Sequence, residues 1–433
     1  MDILSNKVKT ELDKVISIAI NYGDGSISES LFRDVLQSLK QNADAVHQAE
    51  EYLLASDVSV IPDSVAVEET DDDTTNANVV SSKIKPYDPS KIDILPKTLA
   101  LTNLLSRIEN EEIDLMPDFQ RKSGLWTPTQ KSQLIESLIL RIPLPAFYFD
   151  GSDNDNWIVI DGLQRLTTLK EFFVDKTLRL SGMEFLRDLE GADCNSMPKV
   201  YFRRMTETQV ICYIISPGAP VNLKYNIFKR INTGGLELEP QEIRHALFQG
   251  FATKYLKQLA ENKIFLEATG YSVPTDRMLD REFVLRFIAF YEFDLGSYNG
   301  SIDEYLNRAM EYINTKYAKD PQYAEQIQCR FIKALDACYS IFGKFAFRRM
   351  PDQKRRRSIS KALFETWTAL VAKLSANQIS LLKQNKYLLV KEYMSMFIDD
   401  EEFYKSIGSG KVAAVKKRFE KISNLIEKVL END

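Results

Sequence analysis

The sequence predicts an α+β protein: a small N-terminal helical module, a mixed α/β core domain and an all-helical C-terminal region. Three observations carry this. Between about residues 90 and 250, short strand-like apolar runs alternate with segments of helical period. From about 250 onward nearly every stretch reads helical. Ahead of both lie three short amphipathic segments and an acidic stretch with no period. The expected divisions are 1–61 for an acidic three-helix module, 62–90 for an acidic flexible linker, 91–250 for the mixed domain and 251–433 for the helical domain.

In the front module, "LSNKVKTELDKVISIAINYG" sets Val8, Leu12, Val15, Ile16 and Ile18 near helical spacing, with Gly23 as a stop. "SISESLFRDVLQSL" begins a second helix with Ser26 or Ser28 as cap, Glu29 lying three residues after Ser26 as in a capping box. "NADAVHQAEEYLLASD" gives the third helix and "VSVIP" a short strand. "VAVEETDDDTTNANVVSSK" (65–83) is polar and acidic, and reads as the linker.

In the mixed domain, "KSQLIESLILRI" is an amphipathic helix entered through Thr127-Pro128 and ended by Pro143. "AFYFDG" and "NWIVIDG" flank a polar "SDND" and read as a hairpin. "LQRLTTLKEFFVD" is the helix that follows, "QVICYIIS" a strand, and "NLKYNIFKRIN" a helix ending at Thr233-Gly234-Gly235. Beyond 250 the helical stretches include "FATKYLKQLAENKIF", "DREFVLRFIAFYEF", "EQIQCRFIKALDACYSIFGKF" and "AVKKRFEKISNLIEKVL".

The 433 residues are 44% hydrophobic and 27% charged, an ordinary globular composition. No run reaches about 18 apolar residues, so no transmembrane helix and no membrane partner are expected. The start lacks a basic-then-apolar signal layout, which predicts a cytoplasmic protein. Cys194, Cys212, Cys329 and Cys338 have no metal-ligand spacing and are expected to be reduced and buried. The two histidines, His47 and His245, exclude multi-histidine zinc chemistry and a His-Asn-His nuclease. Charge is uneven. Residues 1–81 hold 16 acidic and 5 basic residues, while 82–433 hold 46 acidic and 51 basic.

The segment "IVIDGLQR" concentrates chemistry. A buried strand ends at Asp161, Gly162 lets the backbone turn closely, and the next residues open a helix. Gln164 adds an amide and Arg165 a guanidinium suited to phosphate. Asp161 suits a hydrated Mg²⁺ or a water. A capped turn with an Asp–Arg pair fits the same spacing.

Read with its flanks, "PDFQRKSGLWTPTQKSQLIESLILRIPLPAFYF" and "FKRINTGGLELEPQEIRHALFQG", the motif resembles the N-terminal domain family of GmrSD-type restriction endonucleases, a branch of the ParB/sulfiredoxin-like fold. The resemblance implies a ParB-like NTP-binding domain over 91–250. The family's Asp-Gly-Gln-Gln-Arg signature falls on Asp161, Gly162, Gln164 and Arg165, with Leu163 in place of the first glutamine. It implies NTP and Mg²⁺ as cofactors, with Asp161, Gln164 and Arg165 catalytic and Asp161 at the metal. It also implies nucleotide contacts from Gln120, Arg121, Gly162, Asn232, Thr233 and Gly234. Leu163 makes hydrolysis less secure than binding. Trp126 reads more readily as a packed aromatic than as a base platform. Glu242 and Arg244 fit a salt bridge as well as a site, and His245 reads as packed.

In two-part members of the family, cleavage belongs to a separate His-Asn-His domain, which implies a separate nuclease subunit as partner. "RRMPDQKRRRS" (348–358) is a basic loop in which Arg355, Arg356 and Arg357 suit DNA phosphates; a solvated surface fits it too. Residues 1–75 resemble the acidic N-terminal region of primary sigma factors. The function expected is an NTP-binding and NTP-hydrolysing sensor or regulatory subunit of a DNA restriction or anti-phage system. The alternative is a non-catalytic, nucleotide-gated DNA- or protein-binding module.

Overall fold

The computed structural model describes residues 6–22, 25–37, 43–63, 67–68, 94–115, 126–151, 153, 155–216, 220–231, 238–275 and 277–431. They fall into two compact units: 83–247, and a second made of 1–82 with 248–433. The class is α+β with a helical C-terminal region, as the patterning predicts.

The 83–247 unit is built on a five-stranded mixed sheet. Its strands are β4 (Ile94–Ala100), β5 (Ile113–Asp114), β6 (Phe147–Asp150), β7 (Trp157–Asp161) and β8 (Gln209–Ile215), in the order β4-β8-β6-β7-β5. The expected hairpin is β6 with β7, antiparallel and carrying a bulge at Tyr148/Phe149. β6 runs parallel to β8, and β4 antiparallel to it.

Strand alternation sends Val210, Cys212 and Ile214 of β8 into the core with Phe147, Phe149 and Val159. The helix Pro128–Ile139 adds Leu134, Ile135 and Leu138. Each such side chain contributes about 1.5–3 kcal/mol by leaving water. That helix starts where the sequence places it. Thr127 accepts from the Gln130 amide, Gln130 returns the bond to the Thr127 N–H, and Pro128 fills the first helical position.

In the second unit, helices Asn6–Tyr22, Glu29–Gln37 and Ala43–Leu54 close around Leu12, Val15, Phe32 and Leu53. Ser26 lies in a strand and does not start the helix, which begins at Glu29. Ser26–Ser28 is β1, pairing in parallel with β2 (Ser59–Ile61), and Ser28 Oγ caps by accepting from Leu31 N at 3.3 Å. The sheet needs Ser26 extended, so the cap moves two residues on. Within the stretch read as linker, Val67–Glu68 is β3, paired in parallel with β9 (Ile359–Ser360).

The helical part centres on Leu279–Glu292, buried on most of its faces, with Phe283, Leu285, Phe287 and Ile288 fully buried. Three helices, Ala376–Gln384, Lys386–Asp399 and Glu401–Ile407, join those read from periodicity. Cys194, Cys212 and Cys338 are buried thiols, but Cys329 is exposed on Pro321–Phe342, where its helical phase points it outward. Among the described residues no helix is long and apolar enough to cross a membrane.

Candidate functional site

β7 delivers Asp161 to its C-terminal end, and Gly162 turns the chain into the helix Leu163–Leu169. Gly162 has φ +100°, a left-handed conformation that a side chain rarely adopts. A Cβ there would also lie 2.6 Å from Phe147 Cδ1 and 3.2 Å from Arg165 Nη2. The glycine therefore serves packing as well as the turn.

One turn on, Arg165 reaches back and donates to Asp161 Oδ2 at 2.8 Å. The same guanidinium donates to the carbonyls of Pro145 and Ala146 and lies 4.7 Å from the Phe147 ring centre. Burial lowers the Arg165 pKa from its ordinary value, and Asp161 partly offsets this. Arg165 is thus committed to the chain, and its main effect is to orient the Asp161 carboxylate, which stays about one-third exposed. Gln164 Oε1 accepts from Trp126 N at 3.3 Å, tying the motif to the segment ahead of the 128–139 helix. Leu163 is buried in the core. The position read as a departure from the resembled motif is thus a packing residue here.

Two residues the sequence reading missed lie beside the carboxylate. Tyr148 is the register partner of both Asp161 and Tyr213. The two tyrosine rings stack, with centroids 5.0 Å apart and planes at 17°, and both are half-buried. Burial raises the Tyr148 pKa, with Tyr213 and Asp161 adding to the rise and Arg165 opposing it. In the sequence they look like any aromatic in an alternating strand. Only the pairing of β6 between β7 and β8 sets them in a row with Asp161.

Further along, Lys224 of the helix Val221–Ile231 and Asp150 of β6 form a buried ion pair at 2.9 Å. On Pro240–Leu247, Glu242 accepts from Glu239 N at 2.7 Å, while Arg244 lies 5.4 Å from the Tyr225 ring centre. His245 is buried, as read, and Trp126 packs against the core. Gln120, Arg121, Asn232, Thr233 and Gly234 lie outside the described residues. The structure thus brings together Asp161, Gly162, Gln164 and Arg165.

In the other unit, Arg355 and Arg357 are exposed. Arg356 is half-buried and donates to Ser272 Oγ at 2.6 Å and to the Gly270 carbonyl at 3.1 Å.

Residues 101–249 match the family model described as the N-terminal domain of the GmrSD restriction endonuclease. This segment, about a third of the chain, is similar to that domain. The resemblance read in the sequence is therefore found over that stretch, which holds β5 to β8 and the whole Asp161 turn. No curated protein and no solved structure matches the chain.

The resemblance implies Mg²⁺ at this turn. Among the described residues no group of three or more His, Cys, Asp or Glu side chains could hold a metal. A dedicated protein cage is not what Mg²⁺ needs, because it keeps several waters and binds through one or two carboxylates plus substrate phosphates. Asp161, partly exposed and held in place by Arg165, fits that role.

Proposed function

We propose that the GmrSD-type segment binds a nucleoside triphosphate with Mg²⁺ beside Asp161 and hydrolyses it. The protein then acts as the nucleotide-dependent sensor or regulatory subunit of a DNA restriction or defence system. The GmrSD match points to restriction and defence, and the nucleotide role extends it. The observation that carries the reading is the row of Tyr213, Tyr148 and Asp161, the carboxylate fixed by Arg165 at a strand-to-helix turn.

Asp161 would hold the metal or position the attacking water, while bound Mg²⁺ would neutralise phosphate charge. Arg165 positions Asp161, Gln164 braces the turn, and the tyrosine pair offers a face for the base. Gln120, Arg121 and Asn232 to Gly234 are proposed as further nucleotide contacts, from the resemblance alone. Arg355 and Arg357 are proposed to meet DNA phosphates. A separate nuclease subunit would do the cutting, since the chain has only two histidines.

A second reading, a non-catalytic nucleotide-gated module, is favoured by the commitment of Arg165 to internal partners and by the buried Leu163. Phosphate release from each triphosphate with Mg²⁺, with and without DNA, separates the two. Release that disappears in Asp161→Asn supports hydrolysis. Binding without release supports the second reading, and neither binding nor release rejects both.

A further inference from the structure

The basic loop at 350–358 is held at its base by the acidic front of the same chain. β3 pairs with β9 immediately after the loop, Val67 facing Ile359 and Glu68 facing Ser360. Just before the loop, Arg349 Nε donates to Glu68 at 2.6 Å, a half-buried pair further fixed by Arg349 Nη1 on the Tyr404 carbonyl at 3.1 Å. One two-residue strand thus bonds to both ends of the loop.

A second clamp lies beside Arg356. Tyr22, at the end of the first helix, donates to Glu267 at 2.9 Å, and its ring meets those of Tyr271 and Tyr339 at 5.7 and 6.3 Å. Between the clamps sits Gly270, at φ +64°. A Cβ there would be 2.8 Å from the Tyr22 carbonyl and would collide with the Arg356 guanidinium. The front module and the arginine loop therefore abut through a residue with no side chain.

The charges on the two sides are opposite. Residues 1–81 carry 16 acidic and 5 basic residues. The loop exposes Lys354, Arg355 and Arg357, and its one acid, Asp352, accepts from the Lys354 and Arg355 N–H groups. Those bonds hold its carboxyl below the usual range. An acidic body tied to the base of a cationic loop lowers the potential a polyanion meets there, and it does so most at low salt.

We infer that the front module is a built-in competitor for nucleic acid at the Lys354–Arg357 loop, and that DNA engages this face fully only when the Glu68 and Tyr22 clamps open. The inference rests on the DNA reading of that loop.

Anisotropy titrations of a labelled DNA duplex at low salt, on the full chain, test both. Three proteins are compared: wild type, the clamp variant Tyr22→Ala with Glu68→Gln, and the loop variant Arg355→Ala with Arg357→Ala. Circular dichroism confirms folding, and Glu68→Gln alone serves if the double clamp variant is unstable. The clamp variant is expected to bind about 5-fold or more tightly than wild type, in the range of ordinary intramolecular coupling. Loss of affinity in the loop variant supports the DNA reading of the loop. If the loop variant matches wild type, that reading fails and the inference with it. If the loop variant weakens but the clamp variant binds no better than wild type, the DNA reading stands and the competitor is refuted. No binding by any of the proteins overturns both.

Discussion

Asp161 and Arg165 lie four residues apart across a strand-to-helix turn and share a 2.8 Å ion pair, the arginine buried and the carboxylate partly open. The arginine holds; the carboxylate presents. This division makes each variant's failure distinct.

Arg165→Ala is expected to destabilise the protein by about 2–3 kcal/mol, because two carbonyls and Asp161 lose their donor together. Arg165→Lys should not restore it, since an ammonium cannot reproduce the planar fork. Urea unfolding of the three proteins measures this. An unchanged midpoint for Arg165→Ala would mean that the guanidinium is not the strut of the turn.

Gly162→Ala meets two penalties, the left-handed φ and the contact with Phe147. A cost of at least about 1–2 kcal/mol is expected from the backbone alone. Thermal unfolding should show a clear fall in Tm, and an alanine variant as stable as wild type would contradict the close approach.

The stacked pair makes its own prediction. Tyr213→Ala should weaken nucleotide binding by roughly 5- to 150-fold if a base stacks there, in the range of about 1–3 kcal/mol per base. Tyr213→Phe, which keeps the ring, should stay near wild type. Equal affinities for alanine and phenylalanine would remove the tyrosines from the site.

Away from the site, Glu365 is fully buried between Arg286, at 3.0 Å, and Arg418. Glu282 and Lys361 extend the cluster through the helices Leu279–Glu292 and Lys361–Val371. Glu365→Gln leaves two buried guanidinium groups short of an anion and should cost about 3–5 kcal/mol. Calorimetric unfolding would detect it, and a neutral outcome would show that the arginines find other acceptors.

Much of this was legible in the sequence, for identifiable reasons. Strand β8 declares itself because one face is buried, and the 128–139 helix because Thr127, Pro128 and Gln130 are all capping residues. The Asp161 turn was legible because Gly162 has no substitute there. What stayed hidden depends on partners distant in the chain. Tyr148 and Tyr213 are 65 residues apart and meet only through strand order. β3 is two residues long, and nothing local marks it; its partner lies nearly 300 residues on. Arg356 looked like one more surface cation, yet Ser272 and Gly270 claim it. Leu163 looked like a damaged motif. In place it is core, so Leu163→Gln should bury an amide among apolar side chains and cost stability rather than restore function.

The central claim is that Asp161 serves a nucleotide carrying Mg²⁺. Isothermal calorimetry of wild type and Asp161→Asn with each triphosphate, with Mg²⁺ and with EDTA, tests it most directly. Asparagine keeps the shape and removes the charge. The prediction is that wild type binds at least one triphosphate more tightly with Mg²⁺ than without, and that Asp161→Asn, still folded though less stable because buried Arg165 loses its counter-ion, loses this Mg²⁺ advantage. Identical Mg²⁺ dependence in the two proteins, or no triphosphate binding by wild type, would contradict the account and leave the Asp161 turn a structural cap.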